Sequence, residues 1–149
     1  MTKAALGRTS ARKMRAVQLS ARLPGELHAE LQRFAGNHGL SVSAALARIL
    51  GESLRMARHP GIDFRSAPVG RLPFVTGTGL AVWELDRIWL DYRRDVRKVL
   101  KNYPHLTAAQ VAAAVHYADV HPAEIAADIR RAQPEKPLED FPFLKPVRT

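Results

Sequence analysis

Residues 16–24 read Ala-Val-Gln-Leu-Ser-Ala-Arg-Leu-Pro, and this short stretch restricts the rest of the chain more than any other. Val17, Leu19, Ala21 and Leu23 alternate with Gln18, Ser20 and Arg22. On an extended backbone the first set shares one face and the second set the other. Pro24 has no N–H to donate, so it ends a ladder and suits a first helical turn. The pattern predicts one strand with one buried face. Two amphipathic helices are predicted to follow. Leu27, Leu31, Phe34 and Ala35 form one helical stripe, closed by the stop residues Asn37 and Gly39. Ser41 is a good N-cap for the next helix, whose stripe is Val42, Leu46, Ile49, Leu50 and Leu54.

One strand and two helices in about 45 residues cannot bury an adequate core alone. A single strand also leaves its edge unpaired. Two copies that pair their strands antiparallel and pack their helices together remove both problems. The expectation is therefore an intertwined homodimer. A two-stranded ribbon of this kind fits the major groove of DNA. Its outward residues are Gln18, Ser20 and Arg22, where Gln can read adenine edges and Arg guanine edges. The helix start at Ser41, Val42 and Ser43 offers backbone N–H groups to a phosphate.

Charge supports an acidic partner. The formal net charge is +9 over 149 residues. Residues 1–22 contain Lys3, Arg8, Arg12, Lys13, Arg15 and Arg22 and no Asp or Glu, so two thirds of the excess lies in this stretch. Lys13 and Arg15 are candidate phosphate contacts.

The motifs Gln18-x-Ser20-x-Arg22-Leu23-Pro24 and Gly39-Leu40-Ser41-Val42-Ser43 resemble the ribbon-helix-helix family of Arc and MetJ type, over residues 15–56. That resemblance implies base reading by Gln18, Ser20 and Arg22 and phosphate anchoring by Ser41, Val42 and Ser43.

His59-Pro60-Gly61 punctuates the chain before a second module. Residues 61–80 hold four glycines and two prolines and predict irregular chain or a small hairpin. Helical stripes follow at Val82, Leu85, Ile88, Trp89 and Tyr92, and at Val96, Val99, Leu100 and Tyr103. Thr107-Ala108-Ala109-Gln110 is a capping box for a third helix, with Val111, Ala114, Val115 and Ala118 inward. Pro122 opens a fourth, with Ile125 and Ile129 inward. Asn102 to Leu106 could be the turn of a helix-turn-helix. The helix after it has no Lys or Arg, which argues against groove entry and suits a protein interface or tight packing. Arg93, Arg94, Arg97, Lys98 and Lys101 crowd the preceding segment. Arg94, Arg97, Lys98 and Lys101, with Arg130 and Arg131 further on, are candidate contacts to a partner or to DNA backbone.

His59-Pro60-Gly61-Ile62, Phe74-Val75-Thr76-Gly77-Thr78, Tyr103-Pro104-His105-Leu106-Thr107 and Ala113-Ala114-Val115-His116-Tyr117-Ala118 are similar to the domain-of-unknown-function family 433, over about residues 60–125. That resemblance implies a winged or homeodomain-like helical fold. It also implies a VapB-type antitoxin encoded beside a PIN-like nuclease toxin.

No cysteine is present, so disulfides and thiolate metal sites are excluded, and a cytoplasmic location fits. No apolar run approaches the roughly 18 residues of a membrane span. His116, Asp119 and His121 invite a metal reading, but the two His are five apart and fit one helical face poorly. Thr76-Gly77-Thr78-Gly79 lacks the remainder of a phosphate loop. Neither an enzyme, a cofactor nor a metal is expected.

The expected architecture is mainly α. It comprises a basic arm (1–14), a ribbon-helix-helix DNA-binding and dimerisation domain (15–58), a helix-turn-helix-like antitoxin domain (59–132) and a Pro-rich tail (133–149). The expected function is an autorepressing type II antitoxin. It binds operator DNA and neutralises a nuclease toxin, for which Arg130, Arg131, Lys145 and Arg148 are candidate occluding groups. The alternative is a toxin-independent regulator whose C-terminal domain mediates oligomerisation.

Overall fold

The computed structural model describes residues 16–132. Eight elements follow one another: α1 (Gly25–Asn37), α2 (Val42–Arg58), β1 (Ile62–Ala67), β2 (Gly70–Val75), α3 (Val82–Asp91), α4 (Val96–Asn102), α5 (Ala108–Val120) and α6 (Pro122–Ala132). The arm at 1–14, Lys13, Arg15 and the tail at 133–149 lie outside the described residues.

This order corrects the expected ribbon-helix-helix arrangement of one strand, two helices and an intertwined dimer. Residues 16–24 form no strand, and Val17 and Leu19 are 88% and 78% exposed. The described strands lie instead after the two helices, where β1 and β2 pair with each other as an antiparallel hairpin. The reason is partnership. Alternation assigns faces, but a ladder needs a second backbone, and among the described residues no strand pairs with residues 16–24. The hairpin has what that segment lacks. Ala67 pairs with Gly70 across a two-residue connection, and Gly70 takes a φ of +116°.

The two helices before the hairpin form as their stripes require. Pro24 precedes the first turn of α1, and the Ser41 side chain accepts from the Ala44 N–H at 3.1 Å to cap α2. Their shared core is small: Leu31, Ala35 and Ala45 are buried, with Phe34, Leu40, Leu46 and Ile49 partly so.

The larger core belongs to the hairpin and α3–α6. Val75, Val82, Leu85, Val99, Ala114 and Tyr117 are fully buried there, with α3 packed along α5. The capping box at the start of α5 is complete. Gln110 N–H donates to Thr107 Oγ1 at 3.2 Å, and Thr107 N–H donates to Gln110 Oε1 at 2.9 Å. Gly61 lets α2 turn into β1. It has a φ of +91°, and a Cβ there would sit 3.3 Å from Ala113 Cβ on α5.

Candidate functional site

The first candidate surface is apolar. Leu23, Leu27, Phe34, Leu46, Ile49 and Leu50 line a groove of about 470 Å³ on the α1–α2 pair. Leu27 is 49% exposed and Leu50 43%. These are the stripe residues that the sequence places inward. Among the described residues only part of the stripe is covered, because the core shared by α1 and α2 is small. Covering a Leu fully contributes about 1.5–3 kcal/mol, so burial of this face would be favourable.

None of the candidate DNA contacts lines this groove, although Leu23 of the same segment does. Gln18, Ser20 and Arg22 are all exposed on the segment leading into α1. Ser41, Val42 and Ser43 are exposed at the start of α2.

The second candidate surface is a cleft of about 600 Å³ between α3, α5 and α6. Its apolar lining includes Trp89, Val115, Ile125 and Ile129, and its polar lining is Asp86, Asp119 and Arg94. Burial raises the Asp86 pKa, the charge of Asp119 raises it further, and Arg94 opposes both. Arg94 reaches this edge from an unusual turn. Arg93 and Arg94 both have positive φ, 53° and 61°, and their N–H groups bond Leu90 O and Trp89 O at 2.9 Å each. Two such residues in succession cost about 1–2 kcal/mol each, and those hydrogen bonds offset part of it.

The other basic candidates spread out. Arg97, Lys98 and Lys101 are exposed on α4, whose N-cap Asp95 accepts from the Arg97 and Lys98 N–H groups. Arg130 is exposed on α6. Arg131 pairs with Asp128, whose carboxylate is fully buried. Burial raises the Asp128 pKa, against the pull of Arg131.

Among the described residues no three His, Asp or Glu side chains converge on a metal-sized position. His116, Asp119 and His121 separate: Asp119 lines the cleft with Asp86, whereas His121 turns to His59.

Sequence reasoning missed the residues that tie α2 to the C-terminal half. Arg71 grips Glu52. Arg55 bonds Glu124 at 2.6 Å, and Tyr117 donates its hydroxyl to the same carboxylate at 3.0 Å. His59 Nε2 lies 3.0 Å from His121 Nε2. One signal was available: Glu52, Arg55 and His59 recur at helical spacing on one side of α2, apart from its apolar stripe.

Among the described residues no helix is long and apolar enough to cross a membrane. Comparison with curated proteins and with solved structures gave no match. Residues 62–118, from the start of β1 almost to the end of α5, match the family described as protein of unknown function (DUF433), and the chain carries that domain there.

Proposed function

We propose that this chain is a DNA-binding antitoxin that associates as a homodimer through the α1–α2 groove and represses its own operon. Gln18, Ser20 and Arg22 are its base contacts. Lys13, Arg15 and the α2 start at Ser41, Val42 and Ser43 are its phosphate contacts. The observation that carries the reading is the uncovered apolar face on α1–α2, with the polar residues of 16–24 exposed beside it. Dimerisation doubles the set of contacts and gives it a two-fold axis, which matches a palindromic operator.

The C-terminal domain is the toxin-binding half and has no catalytic role in this reading. The cleft at Asp86, Trp89 and Asp119 supplies apolar area with carboxylates at its edge, suited to a protein partner. A PIN-like nuclease is the toxin class that the similarity of this half implies. Arg130, exposed on α6, and Arg131, which pairs with Asp128 beside Gly70, are the candidate groups for its acidic metal site.

Co-expression with the product of the adjacent reading frame tests the proposal. The expected result is that the neighbour arrests growth alone and that this chain relieves the arrest. A harmless neighbour, with repression intact, removes the antitoxin half and leaves a regulator whose C-terminal domain serves oligomerisation.

A further inference from the structure

His59 closes α2 and is only 6% exposed. Its Nε2 faces His121 Nε2 at 3.0 Å, and its Nδ1 is buried with no hydrogen-bond partner among the described residues. These two facts select a tautomer. With the proton on Nε2, His59 donates to His121 and leaves a bare lone pair at Nδ1. With the proton on Nδ1, it buries an orphan N–H, the rarer and costlier fault. So His59 donates and His121 accepts.

The pair in this state has no room for a second proton. On His59 that proton goes to Nδ1, where nothing accepts it. On His121 it goes to Nε2, where it meets the His59 N–H head-on. Among the described residues the surroundings supply no free anion. From α2, Arg55 and Arg58 add positive charge, and from α5 His116 stands with its ring centroid 5.6 Å from that of His59. Tyr117 of α5 packs edge-on against the His59 ring, its hydroxyl already given to Glu124. Glu124 of α6 is engaged by Arg55, and Asp128 by Arg131. β1 contributes only the apolar Ile62, whose N–H donates to His59 O at 3.1 Å.

We propose that His59 and His121 form a proton-sensitive latch that holds α2 against the α5–α6 junction while the pair shares one proton and releases it when the pair takes a second. The lowered pKa of His59, caused by burial and then by His121, His116, Arg58 and Arg55, agrees in direction. The latch is one of three ties between α2 and the DUF433 half, beside Arg71–Glu52 and Arg55–Glu124, so opening it loosens the C-terminal end of α2 from the α5–α6 junction while each half keeps its own core. It is independent of what either half binds.

The chain has no cysteine, so two can be introduced and labelled cleanly. Ser53→Cys on α2 and Ala123→Cys on α6 are both at exposed positions. Distances between nitroxides at these sites, measured on the full chain at about pH 8 and about pH 5, read the latch directly. One short distance is expected at the higher pH. A longer one is expected to grow on acidification, with the open-to-closed ratio rising about tenfold per pH unit below the midpoint for one linked proton. Circular dichroism should meanwhile keep its helical signal. In the H59Q/H121Q double variant, whose amides can bond but not titrate, the response should vanish. An unchanged distance in the parent chain overturns the proposal, as does an equal response in the double variant or a loss of helix that parallels the distance change.

Discussion

Arg71 holds Glu52 in a fork: its Nε and Nη2 donate to the two carboxylate oxygens at 3.0 and 2.6 Å, joining β2 to α2. The same Nη2 also reaches Phe64 O on β1 at 3.0 Å. Only Arg has the planar donors for this arrangement. The Glu52 side chain is 18% exposed and that of Arg71 is 32%, so the pair is better shielded than a surface ion pair.

Glu52→Ala should therefore cost about 1–2 kcal/mol, because Arg71 keeps its charge and loses two acceptors. Arg71→Lys should lose about half as much, since it keeps the charge but not the fork. Urea unfolding of both variants measures this. A loss within about 0.5 kcal/mol for Glu52→Ala, the range of an ordinary surface change, contradicts it.

Tyr117→Phe isolates one hydroxyl in a fully buried ring. The ring still fills the core, while Glu124 loses the donor at 3.0 Å. A loss of about 1–2 kcal/mol is expected in thermal or urea unfolding. Glu124→Gln should be non-additive with it, since both act on one network.

The helices were readable from the sequence because each carries its own signal. Ser41 and Thr107 act as N-caps, and the stripes through Leu31 and Ala35 and through Val82 and Leu85 face inward. The strand expected at 16–24 does not form, because alternation specifies a face whereas pairing depends on a neighbour that the pattern cannot name. The hairpin at 62–75 was legible as one of two readings of residues 61–80, the other being irregular chain. Pro73 sits at a position where the missing N–H is tolerated on a two-stranded edge, and Gly70 and Pro68 resemble plain loop residues. The candidate DNA residues were nameable as a motif. The ties at Glu52, Arg55 and His59 were not, because their partners Arg71, Glu124 and His121 lie 19, 69 and 62 residues away.

Asp86 and Asp119 share the cleft, and burial followed by the charge of Asp119 raises the Asp86 pKa. A carboxyl whose folded pKa lies above its unfolded value opposes folding once pH rises past it, and the penalty disappears below the unfolded value near 4. Asp86→Asn should therefore raise the melting temperature at neutral pH and leave it unchanged at about pH 3. Arg94 already offsets part of the repulsion, so the gain should be small, under about 1 kcal/mol. A variant that melts lower than the parent at neutral pH contradicts this.

Leu27→Glu and Leu50→Glu place a charge in the middle of the α1–α2 groove. Neither side chain belongs to the small buried core, so the monomer should keep its fold. Sedimentation equilibrium should show dimer for the parent chain and monomer for either variant, the affinity falling at least about 100-fold for a charge buried without a partner. A parent chain that is monomeric at high concentration removes the groove as a self-association surface.

DNA recognition through residues 16–24 is measured by fluorescence anisotropy with a labelled duplex from the chain's own upstream region. Binding to that duplex should be tighter than to a scrambled one, with affinity falling steeply as salt rises. In the Gln18→Ala, Ser20→Ala, Arg22→Ala triple variant the preference should collapse by about 100-fold or more, at about 1–3 kcal/mol per base contact. Equal affinity of the parent chain for both duplexes, or an undiminished preference in the triple variant, would contradict it.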